Sequence, residues 1–126
     1  MKKLDINDIK ILKQLQKNAS LSIEEISERI SLSRNACWRR IRRLEDDGII
    51  NKRVAIVNAE ALDLGQMVIV LISTNSHDPS WLGLFRAAIT EMPEIMGAHR
   101  MSGDLDYILR VRVRDVRAYD KFYQRL

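Results

Sequence analysis

The fold is decided by residues 22–48, which read SIEEISERISLSRNACWRRIRRLEDDG. Ser22 and Glu25 have the spacing of a capping box, in which each side chain accepts from the other residue's backbone amide. A short helix is therefore expected to begin after Ser22. Ser33 can cap the next helix and Gly48 can end it. Two helices joined by so tight a turn are typical of a helix-turn-helix.

The second of these helices, from about residue 34 to 47, has one apolar and one polar face when residues advance by about 100° each. Cys37, Ile41 and Leu44 share the apolar face, and Cys37 is expected to be a small core residue. Arginine can bind guanine bidentately, asparagine can bind adenine, and further arginines can neutralise phosphates. We therefore predict that DNA is bound by Ser33, Arg34, Asn35, Trp38, Arg39, Arg42 and Arg43.

Two residues of this helix have alternative roles. Arg40 lies near the edge of the core, so we expect it to pair with an acidic residue rather than to contact a base. Trp38 could contact the groove or pack against the extended segment that follows the helix, and the pattern favours neither.

A further helix precedes this pair, and a different pattern follows it. Asp5 can cap a helix that ends near Asn18, with an apolar stripe of Ile9, Leu12 and Leu15, flanked by Ile6 and Ile11. Residues 49–57 look extended and could pair as a small wing. Residues 57–65 form the predicted link between domains, with one helical turn near 59–62.

The second half of the chain predicts the order β-α-β-β-α. Strands are expected at 67–74, 95–102 and 105–113, with a turn at Gly103-Asp104. Pro79 suits the start of one helix, and Asp115 can cap another. The fold class is therefore α+β, with a ferredoxin-like second domain. The last strand of such a sheet has no counterpart, so this domain looks truncated or borrows an edge from a partner.

Composition and charge narrow the function. The chain has 126 residues, of which 46% are hydrophobic and 30% charged, so it can form a packed core. Residues 1–53 hold 13 Lys/Arg against 8 Asp/Glu, whereas residues 54–126 hold 8 against 9. The basic half should bind polyanions in a salt-sensitive way. The single cysteine excludes an internal disulfide and a cysteine-based zinc cluster, and no cofactor is predicted. No apolar run reaches the length of a membrane span, so we expect a cytoplasmic protein.

Several stretches together resemble the Lrp/AsnC transcription regulators. They are LDINDIKIL at 4–12, LQKNA at 15–19, IRRLEDDGII at 41–50, MPEI at 92–95 and SGDLDYILRV at 102–111. The stretch YDKFY at 119–123 is similar to the cysteine-responsive DecR-like branch. Where the family often has a Thr-Pro pair early in the recognition helix, this chain has Asn35-Ala36, so its operator preference is expected to differ.

The resemblance implies the following organisation. A winged helix-turn-helix DNA-binding domain would span residues 4–65, with its helix-turn-helix motif at 23–42. A ferredoxin-like domain at 66–126 would form homodimers, or multiples of dimers, and bind a small effector. That effector is expected to be an amino acid, with cysteine as the candidate that the DecR-like branch suggests. It would be bound by Met101, Gly103, Asp104, Asp106 and Tyr107. For either aspartate, a solvated position in a plain hairpin turn is an equal alternative.

Two other functions compete with this interpretation. Some decarboxylases of haem biosynthesis share the two-domain plan, but the two histidines, His77 and His99, belong to no catalytic motif. The other alternative is an amino-acid-sensing module whose helix-turn-helix no longer binds DNA. Salt-dependent DNA binding would distinguish the regulator from that module.

Overall fold

The computed structural model describes residues 3–76 and 78–126, which form two compact units. One unit ends at Ile56 and the other begins at Val57. The predicted domain limit lies further on, between residues 65 and 66. The segment 57–65 instead groups with the second unit, where Asp63 pairs with Arg114 at 2.7 Å and the carbonyl of Gly65 accepts from Arg112 at 3.2 Å.

The first unit is the predicted bundle of three helices, α1 (Ile6–Lys17), α2 (Ile23–Ile30) and α3 (Arg34–Asp46). Capping boxes start α1 and α2, and the hydroxyl of Ser33 accepts from the Ala36 amide at 3.1 Å to start α3. Gly48 follows α3 with φ +71°, a backbone conformation that favours glycine. The predicted start signals and the predicted stop at Gly48 are confirmed.

The core of the first unit confirms the predicted apolar face of α3 and corrects that of α1. Cys37, Ile41 and Leu44 are buried, as the helical period predicts. On α1, however, the fully buried residue is Ile11, which the sequence pattern places at the flank, whereas Ile9 is exposed. The buried face of α1 therefore includes Asp8 as well as Ile11. The Asp8 carboxylate pairs there with arginines of α3.

The segment after α3 differs from the prediction of a paired wing. Residues 51–58 form neither helix nor strand, and the sheet found among the described residues has only three strands, all of them in the second unit. A single 3₁₀ turn follows at Glu60–Leu62, in the region where the sequence predicts one helical turn.

The second unit has the predicted βαββα order. It consists of β1 (Gln66–Ile72), α4 (Pro79–Glu91), β2 (Ile95–Arg100), β3 (Tyr107–Val113) and α5 (Val116–Arg125). The strands are antiparallel in the order β1-β3-β2. The connection between β2 and β3 is longer than predicted, because β2 ends earlier and β3 begins later than the sequence pattern indicates. None of the helices that the structure describes is both long and apolar enough to cross a membrane.

The sheet has one covered and one open face. On the covered face, side chains of β3 such as Leu109 and Val111 are fully buried with Phe122 of α5. On the other face, Met67, Ile69 and Leu71 of β1 are each about half exposed. On α5 the buried residue is Phe122, whereas Val116 and Tyr123 are exposed.

Candidate nucleic-acid interface

The outward face of α3 presents unpaired polar groups at the predicted positions. Asn35 and Arg39 are exposed, and the side chain of neither forms a hydrogen bond or ion pair with any residue that the structure describes. Within the described part of the chain, nothing but solvent is left to satisfy their donors and acceptors. A base edge in a major groove could replace that water without breaking any contact within the protein.

Trp38 and Arg42 form a pair on the flank of this face. Trp38 is 50% exposed, and the guanidinium carbon of Arg42 lies 5.9 Å from the centroid of its indole ring. This is cation–π distance. Arg42 also lies 4.0 Å from Glu45, a weak pair at the surface. The stacking restricts Arg42 before any ligand arrives.

The first turn of α3 carries two more of the predicted residues. The hydroxyl oxygen of Ser33 is occupied as the helix cap, although its O–H can still donate. Arg34 lies 3.7 Å from Glu24, and both side chains are largely exposed, so solvent screens this attraction. Both residues lie at the helix end whose amides favour an anion.

Arg40 and Arg43 attach α3 to α1. The Asp8 carboxylate, 1% exposed, accepts from Arg40 at 3.0 Å and from Arg43 at 2.5 Å, and Arg40 also donates to Asp5 at 2.5 Å. We call these four residues the acid–arginine clamp. The prediction that Arg40 pairs with an acid is confirmed. Arg43, predicted to bind DNA, is half exposed and belongs to the clamp at the same time.

The clamp changes the ionisation of its exposed acid. The hydrogen bond from Arg40, together with one from the Asp8 amide, lowers the pKa of Asp5 from 3.8 to about 2. The same carboxylates raise the pKa of Arg40. Burial raises the pKa of the Cys37 thiol, as expected for an inert core cysteine.

The predicted effector residues lie on and beside the turn between β2 and β3. Gly103 has φ +125°, and the structure leaves open space where a side chain would begin. Gly103 and Asp104 form no hydrogen bond with any residue among those described, so their amides and the Asp104 carboxylate face solvent. The Met101 amide is occupied, because it donates to the carbonyl of Asp106 at 2.8 Å.

Asp106 and Tyr107 join this turn to neighbouring elements. The Asp106 carboxylate accepts from the Thr74 amide at 2.7 Å, just beyond β1. The ring centroid of Tyr107 lies 4.7 Å from that of Phe85 and 6.1 Å from that of Trp81, and both of these residues are on α4. Of the two aspartates, Asp106 therefore has a structural contact, and Asp104 is the more available.

Two family patterns match most of the chain. Residues 4–51 match the winged helix-turn-helix DNA-binding family, and residues 67–126 match the Lrp/AsnC ligand-binding domain. A relative agrees over nearly the full length: the DNA-binding transcriptional activator DecR of Escherichia coli K12 is 44% identical over 123 residues, which are 98% of this chain and 81% of DecR. The chain belongs to the Lrp/AsnC family.

Solved structures of similar proteins agree with this assignment. An AsnC family regulator from Agrobacterium tumefaciens, 43% identical, superimposes with a TM-score of 0.90 over 97% of this chain and 80% of that one. A transcriptional regulator from Neisseria meningitidis in complex with L-Met, 34% identical, gives a TM-score of 0.87 over 96% and 78%. This Lrp/AsnC protein is a DNA-binding transcription regulator with a small-molecule ligand-binding domain, and the resemblance found in the sequence is confirmed.

Some residues that shape these sites were not predicted. Asp8 could have been suspected, because Asp5 and Asp8 have the spacing of a capping box, but the pattern does not disclose pairs with α3. Trp81 and Phe85 are four residues apart, a spacing that brings two rings together on a helix, and they stack at 5.0 Å. The contact of Thr74 with Asp106 has no local signal.

Of the two histidines considered for catalysis, the structure of this regulator describes one. His99 is exposed on β2, and His77 lies outside the described residues. Over residues 3–76 and 78–126, no group of three or more His, Cys, Asp or Glu could hold a metal ion.

Proposed function

We propose that this regulator reads its operator through the outward face of α3, within the helix-turn-helix at residues 23–42. The observation that carries the proposal is that Asn35 and Arg39 are exposed and that their side chains form no hydrogen bond or ion pair with the described residues. Arg39 would contact base edges, and Arg42, stacked on Trp38, would neutralise a phosphate. The sugar–phosphate backbone of the DNA beside the groove would be contacted by Ser33, Arg34 and Arg43.

Two alanine variants test these roles separately. The operator is a duplex selected with the full chain from a random-sequence pool, and a scrambled duplex of equal length is the comparison. Arg39→Ala should lower operator affinity by about 1–3 kcal/mol and leave scrambled DNA nearly unaffected, because it removes a base contact. Arg42→Ala should weaken both duplexes similarly and reduce the salt slope by about one, because it removes a phosphate contact.

Arg117→Ala is the matched control, since Arg117 is an exposed arginine on α5 of the other unit. It should change neither affinity. Equal losses on both duplexes for Arg39→Ala would refute its role in base recognition. If the unchanged chain binds no duplex at all, the protein is the sensing module without DNA binding.

We further propose that the turn between β2 and β3 binds an amino acid. The free amides of Gly103 and Asp104 suit a carboxylate, and the Asp104 side chain suits an ammonium group. Met101, Asp106 and Tyr107 would form the surrounding wall. Cysteine is the first candidate, because of the resemblance to the DecR-like branch, and the L-Met complex of the Neisseria relative supports an amino acid as the class.

A thermal-shift screen of amino acids tests the effector site, because a ligand that binds the folded state raises its melting temperature. Asp104→Asn should abolish the shift. Asp120→Asn, which removes an exposed carboxylate from α5, should keep it. A shift that survives Asp104→Asn would place the ligand elsewhere.

The open face of the sheet supports assembly as a homodimer or a multiple of dimers. Met67, Ile69 and Leu71 form an apolar row that a second copy would cover. Two α3 helices of a dimer would enter successive major grooves of a roughly palindromic operator. The effector would act by favouring one arrangement of the subunits over another. We assign the protein no enzymatic activity and place it in the cytoplasm with its DNA.

A further inference from the structure

A second cationic surface lies on the first unit, and its lining includes none of the α3 residues predicted to bind DNA. It is a shallow hollow of about 350 Å³ between α1 and the end of α2. Four cations line it, Lys10, Lys13, Lys17 and Arg29, and no carboxylate does. We call these four residues the cationic hollow.

The arrangement follows from the periodicity of α1. At about 100° per residue, Lys10, Lys13 and Lys17 lie within about 60° of one another and roughly opposite Asp8. Asp8 faces α3 in the acid–arginine clamp, so the lysines are on the other side of α1. These lysines are exposed, and they lie on one face of α1 over two turns of the helix.

The cations of the hollow are not neutralised by acidic partners among the described residues. None of its four cations forms an ion pair with any residue in the described part of the chain. Arg29 is nevertheless held in place, because its Nη1 donates to Oε1 of Gln14 at 3.3 Å and so joins α2 to α1. Four unpaired positive charges within one hollow repel each other and favour a polyanion with charges spaced along it.

The hollow borders the start of α3. Ser31 lines it, and Ser33, two residues later, caps α3. Two residues span at most about 7 Å, so the hollow begins close to the helix end whose amides and Arg34 favour phosphate. DNA seated on α3 would carry its flanking phosphates toward these cations.

We propose that the cationic hollow binds the sugar–phosphate backbone of DNA beside the groove that α3 enters. This inference rests on the proposed DNA binding and adds a sequence-independent contact outside the base-reading face. The hollow lengthens the bound footprint and strengthens the salt dependence, and it does not contribute to the choice of sequence.

The test compares Lys13→Gln/Lys17→Gln with Arg117→Gln/Lys121→Gln, a control that removes two exposed charges from α5. Affinity is measured against salt for the selected operator, for the scrambled duplex, and for an operator trimmed to the bases that α3 requires. Removing one phosphate contact should reduce the slope of log K against log salt by about 0.9, so the double variant should reduce it by about 1.8 for each bound subunit. We expect this fall on both long duplexes and not on the trimmed one.

Each outcome decides the inference. The inference is overturned if the lysine variant and the control give the same slopes on the long duplexes. It is also overturned if the slope falls by an equal amount on the trimmed operator. Neither result would affect base reading by α3. The hollow would instead be a small-anion site if millimolar inorganic phosphate at constant ionic strength stabilises the unchanged chain but not the lysine variant, with unchanged DNA slopes. Failure of the unchanged chain to bind DNA would reject the proposed function itself.

Discussion

Replacing Asp8 by asparagine should destabilise the first unit strongly, because it removes the buried charge of the acid–arginine clamp. The carboxylate accepts from two guanidinium groups, and hydrogen bonds to charged groups contribute about 1.5–3 kcal/mol each. The side chains of Arg40 and Arg43 are 26% and 51% exposed, so water takes over part of what they lose. We therefore expect the free energy of unfolding to fall by about 2–3 kcal/mol, less than for breaking a fully buried pair.

The assay can be confined to the first unit. The chain has two tryptophans, Trp38 and Trp81, so in a Trp81→Phe background the fluorescence during urea unfolding reports on Trp38 alone. A loss of this size corresponds to a fall of about 10–20 °C in melting temperature for a unit this small. Asp46→Asn is the matched control, since Asp46 is an exposed acid on α3, and it should change stability by less than about 0.5 kcal/mol. Equal midpoints for the two variants would refute the clamp as a source of stability.

Two more predictions concern the loss of stability at low pH and the effect of replacing two glycines by alanine. Because the pKa of Asp5 is about 2 in the folded chain and 3.8 ordinarily, its stabilising effect is complete above pH 3.8 and is lost as the pH falls toward 2. Urea midpoints across this window should fall less steeply for Asp5→Asn, and parallel curves would contradict the assignment. Gly48→Ala should lower the free energy of unfolding by about 1–2 kcal/mol, because φ is +71° there. Gly83→Ala, in an exposed interior turn of α4 with open space around it, should raise it by about 0.5–1 kcal/mol; thermal melts that showed the same sign for both would argue against this reasoning.

Much of the fold could be predicted because its signals are local. Asp5, Ser22, Ser33 and Asp115 each accept a bond from an amide three residues ahead, a contact that depends only on nearby residues. The strand expected at 105–113 likewise matches β3 except at its start. The orientation of α1 could not be predicted, because a helical wheel places an aspartate in solvent, and the buried position of Asp8 depends on arginines 32 and 35 residues away.

The candidate sites divide in the same way. The wheel of α3 separated its exposed face from its core face, since both follow from helical period alone. It could not show that Arg43 is shared between the surface and Asp8. At the effector turn, the glycine in the sequence is itself the local signal for a positive φ. The bond from the Thr74 amide to Asp106 joins residues 32 positions apart and leaves no trace in either segment.

The buried carboxylate also constrains how such a sequence can diverge. A lineage that loses the acid at position 8 leaves two guanidinium groups without their shared acceptor, and one that loses both arginines leaves a desolvated anion. Either change alone is penalised, so positions 8, 40 and 43 should be substituted jointly, although they lie on separate helices. An alignment of descendants would record this as covariation between α1 and α3.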